Sequence, residues 1–252
     1  MGSLCASHEA EERFEETAWS VVIAAGATTE PRAYVALTQL CQIYWRPIYA
    51  YLRRTGYNTH DAQDLTQSFF QDLLQEKTLR RVSREKGRFR SFLLGALKLC
   101  LADEQARRHA LKRGGQIQFI STDELEAEEL HHLRADYEAA PDEILDARWA
   151  GVVLERALEK VRAECAANGK TETFEALYPF LAGTKPQVSY QDMADRMKLG
   201  LGAVTTLIYR LRRQFATAVR REIMQTVSAP HEVDDELRRL RSVFARAREQ
   251  AF

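Results

Sequence analysis

Three features of the 252-residue sequence predict an all-α fold. Apolar residues recur at three- and four-residue spacing along most of the chain, no β-branched segment sustains a period of two, and glycine and proline fall mostly between the periodic segments. Two helical domains are expected, joined by an acidic linker and followed by a C-terminal helix. Composition sets the boundaries: an N-terminal segment 1–30, a first bundle 31–113, a linker 114–140, a second bundle 141–222 and an extension 223–252.

The chain is neutral overall, with 36 Lys and Arg against 36 Asp and Glu, yet its charges are sorted. From Lys77 to Arg113 twelve cations stand against three acids, a balance of +9; from Ser121 to Asp146 ten acids stand against Arg134 alone, a balance of −9. A basic block followed by an acidic one suits a polyanion-binding domain attached to a segment that avoids polyanions. Cys5, Cys41, Cys100 and Cys165 lie far apart with no CxxC pair, which fits buried thiols in a reducing compartment rather than disulfides or zinc. No apolar run approaches the roughly 18 residues of a membrane span. The acidic start MGSLCASHEAEERFEE is not a signal peptide, so a cytoplasmic protein without membrane insertion is expected.

The first bundle opens with PRAYVALTQLCQIYWRPIYAYLRRTGY, expected to bend or break before Pro47. In the next segment, NTHDAQDLTQSFFQDLL, Ala62, Leu65, Thr66, Phe69, Phe70, Leu73 and Leu74 share one arc of a helix. Asp61, Asp64, Gln67, Ser68, Gln71, Asp72 and Gln75 fill the other. Asn58 with Asp61 three residues on has the form of a helix start. The polar arc holds no lysine or arginine in a chain where they are common, which marks Asp64, Gln67 and Gln71 as a protein-docking surface; a solvated helix face is the plain alternative.

A long helix is expected from Gly87 to Arg113, ended by KRGG with its cations in the last turn. Arg88, Ser91, Gly95, Lys98, Ala102 and Gln105 form a strip along it in which small residues alternate with cations. Small side chains let a sugar-phosphate backbone lie close while Arg88 and Lys98 neutralise it. Packing of another helix against the small residues is the alternative. The second bundle begins with PDEILDARWAGVVLERALEKVRAECAANG, a helix closed by Asn168-Gly169.

SYQDMADRMKLGLGAVTTLIYRLRRQF has the form of a helix-turn-helix. Ser189 and Asp192 start its first helix as a capping box, and Leu199-Gly200 break it. On the second, Val204, Leu207, Ile208, Leu211 and Phe215 face inward, while Gly202, Thr205, Thr206, Tyr209, Arg210 and Arg213 face outward. That outward face is small at its start and cationic later, as a helix entering a major groove end-on requires: early residues reach base edges and later arginines meet phosphates. A surface helix with solvated arginines is the alternative. In the extension, Val233, Leu237, Leu240 and Phe244 form a stripe, so this helix should be docked.

In this order, DAQDLTQSFFQDLL, GRFRSFLLGALKLCLADEQARR, an acidic linker and SYQDMADRMKLGLGAVTTLIYRLRRQF resemble a bacterial RNA polymerase sigma factor of the extracytoplasmic-function class, with its regions 2 and 4. The likeness spans about Ala33 to Glu222, and YWRPIYAYLRRTGY with GRFRSFLL resembles a subset carrying a C-terminal extension. The resemblance implies a monomer that binds core RNA polymerase and promoter DNA, with an anti-sigma factor or other regulator as a further partner. It implies contact of Asp61, Asp64, Gln67 and Gln71 with the β′ clamp helices, and of region 4 with the β flap. Arg80, Arg84, Lys86 and Arg88 then belong to a loop that receives a base flipped out of the −10 element. Arg90, Ser91, Lys98, Arg107 and Arg108 belong to the helix along the −10 strand, and Thr205, Thr206, Tyr209, Arg210 and Arg213 to the helix at the −35 element.

Departures from the pattern are Leu99 where the family often has Asn, Thr205 where it often has Lys or Arg, and Lys198 where glycine is common in the turn. Promoter preference is therefore not carried over, and a left-handed conformation at position 198 is left open. Paired carboxylates, a Ser-His-Asp arrangement, a GxxxxGK loop and metal-spaced ligands are missing from the sequence, so neither catalysis nor a metal or cofactor is expected. A stand-alone helix-turn-helix regulator and a helical adaptor with solvated basic faces are the rival readings.

Overall fold

The computed structural model describes residues 18–25, 31–74, 88–111, 140–181 and 188–249. All the regular structure among them is helical: α1 (Ala18–Ala25), α2 (Pro31–Arg54), α3 (Thr59–Leu74), α4 (Phe89–Leu111), α5 (Pro141–Ala167), α6 (Thr171–Leu177) running into a 3-10 turn (Tyr178–Phe180), α7 (Tyr190–Met197), α8 (Leu201–Met224) and α9 (Pro230–Glu249). The acidic linker lies almost wholly outside the described residues, as does the segment 1–17.

Local chemistry sets the helix ends. Asn58 Oδ1 accepts the Asp61 N–H at 2.7 Å and so satisfies one orphan donor of α3. Pro141 opens α5, where no helical N–H is needed, and the Glu143 carboxylate accepts the Ala140 N–H at 3.2 Å. Asn168 caps the other end, followed by Gly169 at φ +65°. Of the bend or break expected before Pro47, the break does not occur: α2 is continuous for 24 residues. The missing proline N–H removes one backbone bond, whereas Leu40, Ile43, Tyr44, Ile48, Tyr51 and Leu52 are buried on both sides of it and hold the helix together.

α2 is apolar over a wide arc because it packs on α1, α3 and α5 and meets Phe89 of α4 through Tyr44. α5 in turn packs on α6, α8 and α9. The sequence divides these helices between two bundles; in the structure their apolar faces meet in one continuous core running from Trp19 through Trp149 to Leu240. α9 is docked on α5 and α8 through Val233 and Leu240, with Leu237 half-buried and Phe244 left exposed.

α1 was not expected. Its sequence, AWSVVIAA, is almost uniformly apolar and too short to display a period. Trp19 is fully buried between Phe89 and Phe92 of α4, at ring-centroid distances of 4.9 and 5.4 Å, and Phe89 also meets Tyr44 at 5.1 Å. Backbone bonds tie the same cluster to the turn after α8: the Trp19 N–H donates to the Gln225 carbonyl and the Phe89 N–H to the Thr226 carbonyl, both at 3.1 Å.

Trp19→Ala should therefore destabilise the fold by about 3–5 kcal/mol, the range for emptying a buried aromatic site; urea unfolding measures it, and a loss below about 1 kcal/mol would contradict the packing described. Cys41 offers a second check. Burial pushes its thiol up to about 12, so native protein at pH 8 should resist alkylation at this residue and react only on unfolding.

Candidate nucleic-acid and protein interfaces

The helix-turn-helix is formed by α7 and α8. Ser189 Oγ accepts the Asp192 N–H at 3.1 Å, while the Asp192 carboxylate accepts the Ser189 hydroxyl at 2.8 Å and the Ser189 N–H at 3.2 Å; the hydroxyl first and the N–H second hold that carboxyl below its ordinary pKa. Lys198 ends α7 in the left-handed conformation, φ 54° and ψ 40°, without the glycine usual at such a position. The Leu199 N–H reaches the Ala194 carbonyl at 3.0 Å, closing the turn before Gly200 starts α8.

The two sides of α8 are sorted as expected. Val204, Ile208 and Leu211 are buried and Leu207 and Phe215 half-buried. Gly202, Thr205, Thr206, Tyr209, Arg210 and Arg213 are all exposed, Tyr209 to 64%. The Thr205 and Thr206 hydroxyls donate to the Leu201 and Gly202 carbonyls at 2.9 and 2.8 Å, which leaves an acceptor lone pair and a methyl group on each to offer outward. Among the described residues no carboxylate pairs with Arg210 or Arg213. A surface of this kind can take a phosphate without first breaking an ion pair.

On α3 the arc of Ala62, Thr66, Phe69, Phe70 and Leu73 is buried against α2, and Thr66 satisfies its hydroxyl on the Ala62 carbonyl at 2.6 Å. Asp64, Gln67, Ser68, Gln71 and Asp72 are exposed, and Asp61 is half-buried beside the helix start. One neighbour complicates the face: His60 Nδ1 lies 3.1 Å from Asp64 Oδ2, one helical turn away and open to solvent.

α4 divides its predicted residues. Ser91, Gly95, Lys98, Ala102 and Gln105 are exposed, as is Leu99 at 60%. A Cβ at Gly95 would meet nothing within 4 Å, so no described helix packs on these small residues. Arg88 and Arg90 are turned elsewhere. Arg90 is only 5% exposed, its guanidinium lying over the Trp149 ring at 4.8 Å and donating to Asp146 Oδ1 at 2.5 Å and Glu236 Oε1 at 2.8 Å. Arg88 donates to Asp235 Oδ2 at 2.7 Å and lies 3.0 Å from Glu236 Oε1, and Lys98 donates to Asp142 Oδ2 at 2.9 Å. In this arrangement Arg90 presents nothing to a nucleic acid, which departs from its place in the sequence-predicted surface. Arg80, Arg84 and Lys86 lie outside the described residues, as do the side chains of Arg107 and Arg108 in the last turns of α4.

Asp146, Asp235, Glu236 and Arg239 were not singled out from the sequence. Arg239 Nε donates to Asp146 Oδ2 at 2.8 Å, completing a network in which three carboxylates face Arg88, Arg90 and Arg239. Burial pushes the Glu236 carboxyl up from its ordinary value, against the pull of Arg90, Arg88 and Arg239. A signal for these residues did exist. Arg90 stands three and seven positions before the buried Leu93 and Leu97, and Glu236 stands between the buried Val233 and Leu240, so each charge falls within an apolar stripe. Another buried carboxylate, Glu222 of α8, accepts from Arg156 Nε at 3.0 Å and pairs with Lys160, fastening α8 to α5.

No group of metal-ligating side chains occurs among the described residues, and none of their helices is long and apolar enough to cross a membrane. No family model matches the chain, and neither the curated proteins nor the solved structures contain a match to it.

Lys198→Gly should stabilise the protein by roughly 0.5–1 kcal/mol, because glycine adopts the left-handed conformation without a Cβ clash. The check is the denaturation midpoint, and a variant less stable than the parent would contradict the turn geometry.

Proposed function

We propose that this chain is a sigma-type specificity factor that docks on core RNA polymerase and directs it to a promoter set. The observation that carries the reading is the outward face of α8: small and polar at the start of the helix, cationic one to three turns later, and free of carboxylate partners among the described residues. Thr205, Thr206 and Tyr209 read base edges of a −35-type element, while Arg210 and Arg213 neutralise its phosphates. The exposed strip of α4 follows the −10 strand, and the small residues Ser91, Gly95 and Ala102 let the backbone come close.

Asp61, Asp64, Gln67 and Gln71 of α3 form the polymerase-docking face. Carboxylates there repel nucleic acid and suit a basic protein surface. No bond is made or broken by the protein itself; it works by binding, and a base taken from the duplex is stabilised by contacts that offset its lost stacking, a few kcal/mol.

One observation favours a second reading. Because Arg88, Arg90 and Lys98 are engaged with carboxylates while Arg210 and Arg213 pair with none among the described residues, α8 offers a more open cationic surface than α4, as it would in a stand-alone helix-turn-helix regulator. Such a regulator would bind a palindromic site as a dimer.

Transcription in vitro on genomic fragments separates the two. Core polymerase with the protein should initiate at defined start sites that core alone does not use; the absence of any such selection would overturn the sigma reading. Arg213→Ala should weaken promoter binding uniformly across sequences and lower the salt slope of binding by about 0.9, the value for one lost duplex phosphate contact.

A further inference from the structure

We infer that α9 is an autoinhibitory clamp: together with Asp146 of α5, its carboxylates occupy the arginines at the start of α4, and they must release them before α4 can take a nucleic-acid backbone. The inference rests on the promoter-reading function proposed above and concerns how that function is held off.

Geometry carries it. Asp235 and Glu236 of α9 bind Arg88, Glu236 and Asp146 bind Arg90, and Asp142 at the start of α5 binds Lys98. Each is a carboxylate on a guanidinium or ammonium group of α4 or of Arg88 just before it, the contact that a phosphate oxygen would make in its place. The same cations therefore cannot serve the clamp and a DNA strand at once.

A purely structural brace does not need this chemistry, since apolar residues of similar size commonly hold helices together as well as buried ion pairs do. Here Glu236 is 2% exposed, one of its oxygens serves both Arg88 and Arg90, and the other, Oε2, is buried with no hydrogen-bond partner. That carboxylate is thus incompletely satisfied in the closed state.

Exposure is graded along the seam, which gives a competing strand a place to enter. Lys98 and Asp142 have side chains 52% and 48% exposed, Arg88 and Asp235 25% and 38%, while Arg90 and Glu236 are at 6% and 2%. Beside them Ser91, Gly95, Ala102 and Gln105 stay open. A strand laid on that open strip meets Lys98 first, then Arg88, and the sealed Arg90 last.

The test is fluorescence anisotropy of a labelled mixed-sequence DNA single strand with full-length variants across a salt series. Asp235→Asn with Glu236→Gln should tighten binding roughly tenfold and steepen the salt slope by roughly 1.4, two phosphates at about 0.7 each. Unchanged affinity and slope in a folded variant would overturn the clamp.

Because this variant strips a buried arginine of a partner, Asp142→Asn with Asp235→Asn gives a second test at partly exposed positions, with an expected gain of roughly threefold for the freed outer cations. Equality with the parent would again overturn the clamp. Glu159→Gln with Glu172→Gln makes the same change of net charge at exposed sites that form no ion pair with α4 among the described residues, and should leave the slope unchanged. An equal gain there would show a net-charge effect and no clamp. Start-site selection by the parent chain reads the proposed function separately. Selection without any gain in the variants sinks the clamp alone, and a gain without selection sinks the function and keeps the clamp.

Discussion

The guanidinium of Arg90 joins three helices. It projects from α4, lies over Trp149 of α5, and divides its donors between Asp146 of α5 and Glu236 of α9. A charge so deeply enclosed is tolerable only with its partners in place; leaving one member of such a buried pair alone costs about 3–5 kcal/mol. The first turn of α4, the start of α5 and the C-terminal helix therefore hold their positions together, and Trp19, Phe89 and Phe92 seal the apolar side of the same junction.

The other surfaces are arranged around this junction. α5 carries Asp146 at one end and, further along, Arg156 and Lys160, which fasten Glu222 and hence α8. α8 is thereby anchored by its second half, while its first half carries the exposed Thr205, Thr206 and Tyr209 with α7 as support. α3 packs on α2 and turns its acidic and amide face outward. The proposed protein-docking face and the proposed nucleic-acid face, opposite in charge character, are thus borne by one core. α4 is open along its small residues and occupied at its first turn.

What could be read from the sequence was whatever local periodicity determines. The inward and outward sets of α8, the buried arc of α3, the Asn58 start and the Ser189–Asp192 box all rest on contacts within a few residues, and the structure has them as expected. The fate of Arg90 could not be read that way, because its partners are 56 and 146 positions away and a cation looks alike whether paired or solvated. That Pro47 leaves α2 unbroken has a related reason: its local penalty is real, but tertiary burial on both sides outweighs it. α1 escaped notice because eight residues, all apolar but Ser20, show no period, and Lys198 shows that a turn can impose a left-handed residue without glycine. Two bundles were expected because a long acidic segment separates them in sequence, but separation along the chain does not prevent α2 and α5 from sharing a core.

The central claim is that α3 and α8 are separate working surfaces, one for a protein and one for DNA. Its most direct measurement is a paired binding assay on Asp64→Arg and Arg210→Glu, each titrated against core RNA polymerase and against a promoter fragment selected by the parent complex. Asp64→Arg should lose polymerase binding while the free protein's weak affinity for DNA is kept or raised, and Arg210→Glu should bind polymerase normally and fail on the promoter. Normal polymerase binding by Asp64→Arg, or equal loss of both activities in both folded variants, would contradict it.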